Sequence, residues 1–434
     1  MERLWSHGHA AYVVGGSVRD TLLGRRAGDW DLTTDARPDR LLAVFPGAVY
    51  ENQFGTVAVR EGDTVHEVTT FRSDHDYADF RRPHRVEFGD DVRLDLARRD
   101  FTVNAIAWGR GADAPASVLV DPFDGVADVE RRTLRAVGEP GARFGEDALR
   151  MVRAVRLAAV LDFSIEPATR AAIGDNAVLV AHVSGERVSA ELEKLLAAPR
   201  PSLGLRLMAD VGLLDVLLPE LAAQRGVPQN KIEGEDLFDH TVRSVDAAPP
   251  DRPVVRLAAL LHDIGKPPTI DDGPFRGHEV VGADMAANVL ERLRTPRVAQ
   301  ERVVRMVRNH MFMYEPRWGD AGVRRFIQRV GIDAVDDLFA LREADNAGSG
   351  VPDGAHGLDE LRSRVEAEIA ASVVLDLSRL AVDGDDLMGE LGVPQGPHLG
   401  RILDELLERV IAEPKLNDRA TLLLLAESML TEDR

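Results

Sequence analysis

The spacing of apolar residues changes near Arg143, and this change limits the folds open to the 434-residue chain. Before it, short runs rich in Val, Thr and aromatic residues alternate with turns, as in AYVVGG, GTVAV, VHEVTTF and SVLVDP, which is typical of β-strands. After it, stretches such as EDALRMVRAVRLAAVL place apolar residues three and four positions apart, which indicates helices. We therefore predict a small α+β domain followed by an all-helical remainder.

Length and composition exclude several classes of protein. The chain is too long for one core, so we expect several domains. It contains no apolar run long enough to cross a membrane, and its N-terminus lacks a signal pattern. We therefore expect a cytoplasmic protein with no membrane partner. The absence of cysteine excludes disulfides, thiolate zinc sites and a cysteine nucleophile, so any metal must be bound by histidine and carboxylate.

The charge of the chain is unevenly distributed. A formal net charge of −20 argues against a uniformly basic nucleic-acid-binding surface. Residues 131–156 nevertheless carry seven arginines against three carboxylates, and residues 297–329 carry eight against three. Four of the 53 basic residues are lysines, which we interpret as a coding bias towards arginine. The two basic stretches are the candidates for contact with RNA.

The stretch VVGGSVRDTLLGRRAGDWDLTT, residues 13–34, combines features of a nucleotide site. If GDWDLTT is a strand, Asp29 and Asp31 project from one face and can bind Mg²⁺. The turn at Gly15 and Gly16 lets backbone N–H groups approach a phosphate, and Arg19 adds a fixed positive charge on the helix that follows. The sequence therefore predicts a site for the triphosphate of a nucleotide.

Other interpretations of this stretch remain open. An isolated pair of aspartates is most often part of a surface turn. A third carboxylate from a neighbouring strand would complete a metal site, and Glu67 in HEVTTFR is the candidate, with Glu61 and Asp63 as alternatives.

GGSVRDTLLG followed by DWD resembles the head domain of the class II tRNA nucleotidyltransferases, which comprise the CCA-adding enzymes and bacterial poly(A) polymerases within the polymerase-β-like superfamily. The likeness continues in the family's order through VTTFR, YADFRRP, LARRDFTVNAIA, DPFDGVAD, FGEDALRMVRAVRLAA and SGERVSAEL, and covers at least residues 12–220. Phe80 departs from the family, which usually has glycine there, and could stiffen a loop in residues 72–95 that resembles the family's flexible loop. His75 and His84 in this loop are expected to be solvated.

The resemblance implies that the chain adds the CCA end to tRNA from CTP and ATP. Asp29 and Asp31 would then be the catalytic metal ligands, and Gly15, Gly16 and Arg19 would bind the triphosphate. The segment RRDFTVNA would add Arg98, Arg99 and Asn104 to the nucleotide pocket. Alternatively, these arginines simply cover the surface of the head.

Asp147 and Arg150, in EDALR, are candidates for reading the base. We expect them three residues apart on one helix face. Cytosine and adenine each present an amino donor beside a ring-nitrogen acceptor, whereas uracil and guanine present a carbonyl beside an N–H. A carboxylate and a guanidinium therefore fit the first two bases, and the family uses this motif as an amino-acid template. Arg153 and Arg156 would continue towards phosphates or the primer; the alternative is a surface ion pair.

A second motif lies in VVRLAALLHDIGKPPT, residues 254–269, which resembles the HD phosphohydrolase signature. It supplies His262 and Asp263. The further ligands that the signature requires have candidates in suitable order at His240, His278, His310 and Asp345. Imidazole and carboxylate ligands suit Mn²⁺, Co²⁺, Ni²⁺, Fe or Zn²⁺, and such a centre can activate water for hydrolysis. The alternative is that His262 and Asp263 simply end a helix.

Together these observations predict four segments: a nucleotidyltransferase head in residues 1–140, a helical neck and RNA-binding body in 141–235, an HD domain in 236–350 and a C-terminal helical domain in 351–434. The nearest rival functions are an enzyme that adds only CC or only A, and a poly(A) polymerase. The RRP of the loop argues mildly for all three additions. More remote rivals are a phosphohydrolase whose head only binds RNA, and a non-catalytic RNA-binding protein.

Overall fold

A computed structural model describes residues 1–52, 54–77, 83–229, 231–272, 275–351, 357–371 and 376–432. The chain divides into two compact units, the first comprising Met1–Ala222 with Arg292–Arg294 and the second Ala223–Glu291 with Thr295–Arg434. Among the described residues, no helix is both long and apolar enough to cross a membrane. The expectations for Phe80, the RRP segment and the His75 and His84 side chains lie outside the described part of the chain.

The first unit begins with an α+β head, which confirms the predicted fold class. Its elements are α1 (Glu2–Ser6), β1 (Ala11–Val14), α2 (Gly16–Leu22), β2 (Leu32–Thr34), α3 (Pro38–Val44), β3 (Val49–Asn52), β4 (Thr56–Glu61), β5 (Thr64–Thr70), β6 (Arg72–Tyr77), β7 (Pro83–Phe88), α4 (Val92–Ala97), β8 (Ala107–Arg110), β9 (Val118–Val120), α5 (Gly125–Glu130) and β10 (Thr133–Leu134).

A seven-stranded mixed sheet organises the head, in the order β3-β4-β5-β2-β1-β8-β9. The β2–β5 pair is parallel, with Thr33 beside Thr69, and the other pairs of this sheet are antiparallel. Alternate residues of β1 enter different cores: Tyr12 and Val14 pack with Phe71, while Ala11 packs with Leu41. The sheet is therefore covered on both faces at β1, which fixes the turn that follows this strand.

Helices form the rest of the first unit, apart from one short strand that pairs with β10. The elements are α6 (Pro140–Glu146), α7 (Leu149–Leu161), β11 (Ser164–Ile165), α8 (Pro167–Asn176), α9 (Gly185–Leu196), α10 (Pro201–Asp210), α11 (Leu213–Leu217) and α12 (Pro219–Ala222). Helix α7 is buried along most of its length and packs against α9 and α10.

The second unit is built from helices joined by loops, with one isolated β-bridge between Pro228 and Asp236 among its described residues. Its helices are α13 (Leu237–Ala247), α14 (Pro253–Leu261), α15 (His278–Arg292), α16 (Arg297–Asn309), α17 (Asp320–Val330), α18 (Val335–Gly348), α19 (Leu358–Ala370), α20 (Gly384–Leu391), α21 (Pro397–Ala412) and α22 (Arg419–Glu432). Helix α14 is apolar because it packs against α13, α16 and α18. This packing brings the ends of several helices together at one point. The four-segment division of the chain stays a prediction.

Candidate active sites in the two units

Asp29 and Asp31 lie immediately before β2 and are exposed. The prediction that both belong to a strand is wrong, because the ladder begins at Leu32. Asp31 nevertheless lies beside β1, since its carbonyl accepts a hydrogen bond from Val14 N at 3.0 Å. Partial desolvation raises the pKa of the Asp31 carboxyl, Arg99 opposes this shift, and the charge of Asp29 reinforces it. The two carboxylates are therefore close enough to repel each other, which suits them to a cation.

The turn between β1 and α2 has the geometry that its glycines predict. Gly15 has φ +82°, and a Cβ there would lie 3.0 Å from Arg99 Nη1, so glycine is favoured both by conformation and by space. Arg19, on the buried face of α2, donates from Nη1 to Asn104 Oδ1 at 2.6 Å and from Nε to Asp20 Oδ1 at 2.9 Å. The turn, Arg19 and Asn104 thus form one connected group.

Two buried aspartates hold the arginines behind this group. Asp95 accepts two hydrogen bonds from Arg98, at 2.8 and 3.0 Å, and lies 3.6 Å from Arg99. Burial alone would raise the pKa of Asp95, but Arg98 and Arg99 lower it. Asp100 accepts from Asn104 Nδ2 at 3.1 Å and pairs with Arg153 at 3.2 Å. Sequence reasoning did not single out either aspartate, although Asp100 belongs to the RRDF motif and Asp95 lies three residues before it.

Glu67 lies in β5, beside the strand that Asp31 precedes. The pair Thr33–Thr69 fixes the register, and Asp31 and Glu67 each lie two residues earlier on their own chains. Side chains two residues apart on a strand share a face, so an extended chain at residue 31 places both carboxylates on one face of the sheet. Glu67 is exposed. Its role as third carboxylate stays a prediction that this register supports.

The expectation that Asp147 and Arg150 share one helix is wrong. Asp147 has φ −147° and ψ 102°, an extended conformation between α6 and α7, and its Oδ1 accepts from Leu149 N at 3.2 Å. The two residues also have different partners. Asp147 Oδ2 accepts from Arg187 at 2.7 Å, while Arg150 donates to Glu146 at 2.5 Å. The alternative of a mutual surface ion pair is therefore not what the structure contains.

Arg150 also joins the neck to the head within the first unit. It is buried, and its Nη2 donates to Arg98 O at 3.1 Å. Arg143, on α6, donates to the carbonyl of Ala97 at 3.0 Å. Both acceptors lie at the C-terminal end of α4, where helical carbonyls have no partner within the helix. The base-reading candidate is thus bonded to the segment that carries the arginines of the nucleotide pocket.

Arg153 and Arg156 both reach Glu191 of α9. Arg156 Nε donates to Glu191 at 2.5 Å, and Arg153 lies 4.0 Å from it as well as beside Asp100. In this arrangement the guanidinium of Arg156 pairs with a buried carboxylate of the neck. Sequence reasoning missed Glu146, Arg187 and Glu191; for Arg187 and Glu191 the available signal was their place in the SGERVSAEL motif.

All six residues predicted for the second motif meet at one point in the second unit, and each is at most 6% exposed. They form two groups, whose ligand atoms lie within 4.8 Å of one another inside each group: His240, His262 and Asp345 in one, and Asp263, His278 and His310 in the other. Across the groups, Asp263 Oδ2 lies 3.3 Å from His240 Nε2 and 3.2 Å from His262 Nε2. Asp263 therefore lies between the two groups and can bridge two cations.

Backbone carbonyls orient three of these histidines. The Nδ1 atoms of His262, His278 and His310 lie 2.7–2.8 Å from the carbonyls of Ala259, Phe275 and Val307. A ring that donates from Nδ1 leaves Nε2 as the ligand atom. The donor set and its orientation therefore fit divalent transition metals.

The charges at this centre are strongly coupled. Burial alone would raise the pKa of Asp345, but a hydrogen bond from His240 and the charges of His262 and Lys231 hold it well below its usual range. Asp263 is shifted in the same direction, with His262 and Lys266 as the main charges. Arg342 lies 3.2 Å from Asp345 Oδ2, which leaves Oδ1 towards His240. The surrounding charges and hydrogen bonds therefore favour the ionised form of both carboxylates.

Gly265 lets the signature turn pack tightly against α15. A Cβ at this position would lie 2.2 Å from the carbonyl of His278 and 2.5 Å from Gly282 N, a distance that no side chain permits. The close approach brings the start of α15, and with it His278, against the turn that carries Asp263. The glycine of the signature is therefore needed to assemble the ligands.

Three family models match the chain. They are described as the Poly A polymerase head domain, over residues 11–135, the probable RNA and SrmB-binding site of polymerase A, over 162–225, and the HD domain, over 232–347. The first two cover the head and much of the neck, and the third contains all six ligand candidates of the second unit.

Curated relatives and a solved structure extend this likeness. The CCA-adding enzyme of Geobacillus thermodenitrificans is 49% identical over 223 residues, which is 51% of this chain and 54% of that protein, so this alignment spans about half of each. That of Geobacillus kaustophilus is 35% identical over 96% of this chain and 93% of its own length. The crystal structure of the Bacillus stearothermophilus enzyme in complex with CTP matches with a TM-score of 0.73 and 30% identity, covering 100% of this chain and 96% of that one.

Proposed function

The chain belongs to the family of CCA-adding enzymes, and we propose that it adds the CCA end to tRNA from CTP and ATP without a nucleic-acid template. The observation that carries this proposal is the exposed pair Asp29 and Asp31 beside the turn at Gly15 and Gly16, with the Arg19–Asn104 group behind it. The similarity to a CTP-bound relative along the whole chain supports it. A cytoplasmic location is part of the same proposal.

The residues of the head divide the reaction between them. Asp29 and Asp31 would hold Mg²⁺, which when bound would activate the RNA 3′-hydroxyl and neutralise the departing pyrophosphate. Gly15 N donates to Ile106 O at 3.2 Å, so the N-terminal N–H groups of α2, which begins at Gly16, and the guanidinium of Arg19 would hold the triphosphate. Arg99, next to Gly15 and partly neutralised by Asp95, adds positive charge on the same side. The hydroxyl then attacks the α-phosphate in line.

Base selection falls to Asp147 and Arg150, with Arg187 as a third member. The carboxylate of Asp147 accepts and the guanidiniums donate, which matches the Watson–Crick edges of cytosine and adenine. Arg187 already bonds Asp147 at 2.7 Å, so it fixes the direction in which the carboxylate points. Arg153, beside Asp100, is placed to add charge near the pocket.

Recognition of the tRNA body relies on shape and backbone, because side chains cannot read the deep groove of an A-form helix. We assign part of this contact to residues 297–329. A groove of about 450 Å³ in the second unit is lined by Arg305, Arg308 and Arg329 together with Glu279, Val280, Asn309, Met311 and Phe312. Arg305 and Arg308 also pair with Asp333 and Asp284, at 3.0 and 2.7 Å. Arginines in such a groove suit phosphate oxygens.

The decisive experiment incubates the purified protein with tRNAs that lack A, CA or CCA, with CTP and ATP supplied separately and together. Product length at one-nucleotide resolution should show two additions with CTP alone on the CCA-less tRNA and three with both nucleotides. Additions that stop at CC, that begin only at A, or that run on as poly(A) would each support one rival enzyme.

A second activity is supported by the six assembled ligands of the second unit. We propose that they form a phosphohydrolase centre that acts on phosphate esters, including a cyclic phosphate at a damaged tRNA end. Divalent ions bound there would supply a Lewis acid and an activated water. Hydrolysis of 2′,3′-cyclic AMP and of a phosphomonoester, measured with Mn²⁺, Co²⁺, Ni²⁺ and Mg²⁺ in turn, tests this. No hydrolysis with any ion, and no metal bound on elemental analysis, would contradict it.

A further inference from the structure

Two of the four lysines in the chain meet at the six-ligand centre of the second unit. Lys266 Nζ lies 2.7 Å from Asp263 Oδ2, and Lys231 Nζ lies 3.6 Å from Asp345 Oδ1. Arginine occupies most basic positions of this chain, so lysine at both places is unusual. An ammonium is compact and behaves as a point charge, which suits a small anion in a narrow space better than a planar guanidinium does.

The two lysines differ in access. The Lys266 side chain is 9% exposed, and its ammonium lies 5.5 Å from the centre of the Phe275 ring. The Lys231 side chain is 32% exposed, whereas the six ligands beside it are nearly fully buried. Lys266 is therefore enclosed with the ligands, while Lys231 reaches both the centre and the solvent. An anion that enters the centre past Lys231 meets its charge first.

The loop that carries Lys231 is fixed to the helix that carries a ligand. Gly226 N donates to Asp236 Oδ2 at 2.7 Å, and Leu237 N donates to Val227 O at 2.9 Å. Asp236 also caps α13, one turn before His240. The loop ends are thus held at the start of α13, so the position of Lys231 depends on the same helix as that of His240.

Gln229, in the same loop, supplies a second polar group. Its Nε2 lies 3.5 Å from Asp263 Oδ2, and its Oε1 is buried without a hydrogen-bond partner among the described residues. A buried amide oxygen without a partner loses free energy unless a bound molecule or water donates to it. The loop therefore presents a cation and an unused acceptor at the same edge of the centre.

We propose that Lys231 is a phosphate-binding residue of this centre and that its substrate is a terminal phosphate ester, with Gln229 accepting from a hydroxyl of the attached sugar. The inference rests on the proposed phosphohydrolase function. Two lysines offset the charges of Asp263 and Asp345, so divalent ions leave a net positive centre that attracts a phosphate anion. Because the ligands are buried, a chain end reaches them more readily than an internal linkage of a folded RNA.

The test compares Lys231→Met, Lys231→Arg and the control Lys415→Met in the full chain loaded with Mn²⁺. Lys415 is exposed and belongs to a short helical turn of the C-terminal region. Calorimetric titration with inorganic phosphate should show a dissociation constant raised about tenfold or more by Lys231→Met, as expected for the loss of a charge-assisted hydrogen bond. Lys231→Arg should restore only part of the affinity, because it keeps the positive charge but replaces the compact ammonium with a planar guanidinium. Lys415→Met should match the wild type.

Two further measurements separate phosphate binding from a structural role. Elemental analysis should find the same bound metal in all variants, and KM for 2′,3′-cyclic AMP should rise more than kcat falls in Lys231→Met. Unchanged phosphate affinity in Lys231→Met would overturn the inference even if the wild type hydrolyses its substrates. Loss of bound metal without rescue by Lys231→Arg would also overturn it. Phosphate binding that depends on Lys231 in a protein that hydrolyses nothing would support the inference while the phosphohydrolase function fails.

Discussion

The two sites differ in which of their charged residues are buried. In the head, Asp29 and Asp31 are exposed, and the buried carboxylates are Asp95 and Asp100 behind them. In the second unit the candidate ligands themselves are buried, and backbone carbonyls orient three of the four histidines. Within the described part of the chain, closely spaced groups of potential ligands occur twice in the second unit and not around Asp29. The candidate ligands of the second unit are therefore already grouped, whereas, among the described residues, those of the head are not.

This difference predicts which substitutions affect function and which affect folding. An exposed carboxylate can be removed from the head at little cost in stability, because water already solvates it. The aspartates behind it cannot, since each is a buried carboxylate paired with partly buried arginines. In the second unit the candidate ligands are themselves buried, so their substitution should affect both function and folding. Five predictions test this contrast, in decreasing order of expected effect.

Replacing Asp29 or Asp31 with alanine should reduce nucleotide addition by about a thousandfold or more, because transition-state charge is stabilised there. Thermal unfolding should shift little, and hydrolysis at the second centre should persist. Single-turnover addition of CMP to a CCA-less tRNA measures the effect. Addition near the wild-type rate by Asp29→Ala would refute the metal assignment.

The same assay with Glu67→Ala, set against Glu61→Ala and Asp63→Ala, identifies the third carboxylate.

Combining His262→Ala with Asp263→Ala should abolish metal-dependent hydrolysis and remove bound metal, since Asp263 contributes to both ligand groups. CCA addition should continue, because the two activities use different residues. Elemental analysis and both assays on one preparation check the result. Retention of a full complement of metal by the double variant would show that these residues are not its ligands.

Asp95→Asn should destabilise the protein by roughly 3 to 5 kcal/mol, the cost of leaving buried charges without their partner. Asp90→Asn is the matched control, because Asp90 is 83% exposed in its pair with Arg37 and should change stability by at most about 0.5 kcal/mol. Denaturant unfolding of both variants measures the difference. Equal, small effects would mean that Asp95 is not a structural anchor.

The comparison of wild type with Asp95→Asn also predicts how stability depends on pH. The folded protein holds the pKa of Asp95 below its ordinary value of 3.8, so its stabilising contribution is complete above that value. It is lost progressively as the pH falls below 3.8 towards the lowered pKa. The stability gap between wild type and Asp95→Asn should therefore be constant near neutral pH and narrow in acid. A gap that widens in acid would contradict the direction of the shift.

Asp147→Ala and Arg150→Ala should relax selection against UTP and GTP by roughly 1 to 3 kcal/mol. Each substitution removes a group that uracil or guanine would leave without a complementary hydrogen-bond partner, so the wrong base is penalised less. Competition among all four nucleotides in one reaction measures it. Asp162→Asn serves as control, since Asp162 forms an exposed pair with Arg132 at the far end of α7. Unchanged selectivity in both test variants would assign Asp147 and Arg150 a structural role only.

The meeting of the six candidate ligands in the second unit could be predicted from sequence because residue type and order carry the signal. Histidine is rare in this chain, with 12 residues, so three histidines and an aspartate in suitable order around an HD pair stand out. The aspartate pair stands out because two glycines and an arginine precede it. In each case the chemistry requires a particular residue type at that position, and the sequence shows residue types directly.

The supporting charges could not be predicted in the same way. Asp95, Asp100 and Glu191 are three of 73 acidic residues, and which of them pairs with which arginine depends on the packing of α4, α7 and α9. The break at Asp147 was also hidden, because Phe144, Ala148 and Val152 keep helical spacing across it. Apolar spacing reports which side is buried and does not reveal one extended residue between two helices.

The bonds from Arg143 and Arg150 to the end of α4 bear on how such proteins can be recombined. A crossover between relatives near residue 140 would divide the donors from the carbonyls of Ala97 and Arg98 that they bind. The acceptors are main-chain carbonyls, which any parent supplies, so what a crossover must preserve is an arginine at each donor position and the course of the backbone at the end of α4. A breakpoint beyond residue 150 keeps both donors with the backbone that they bind.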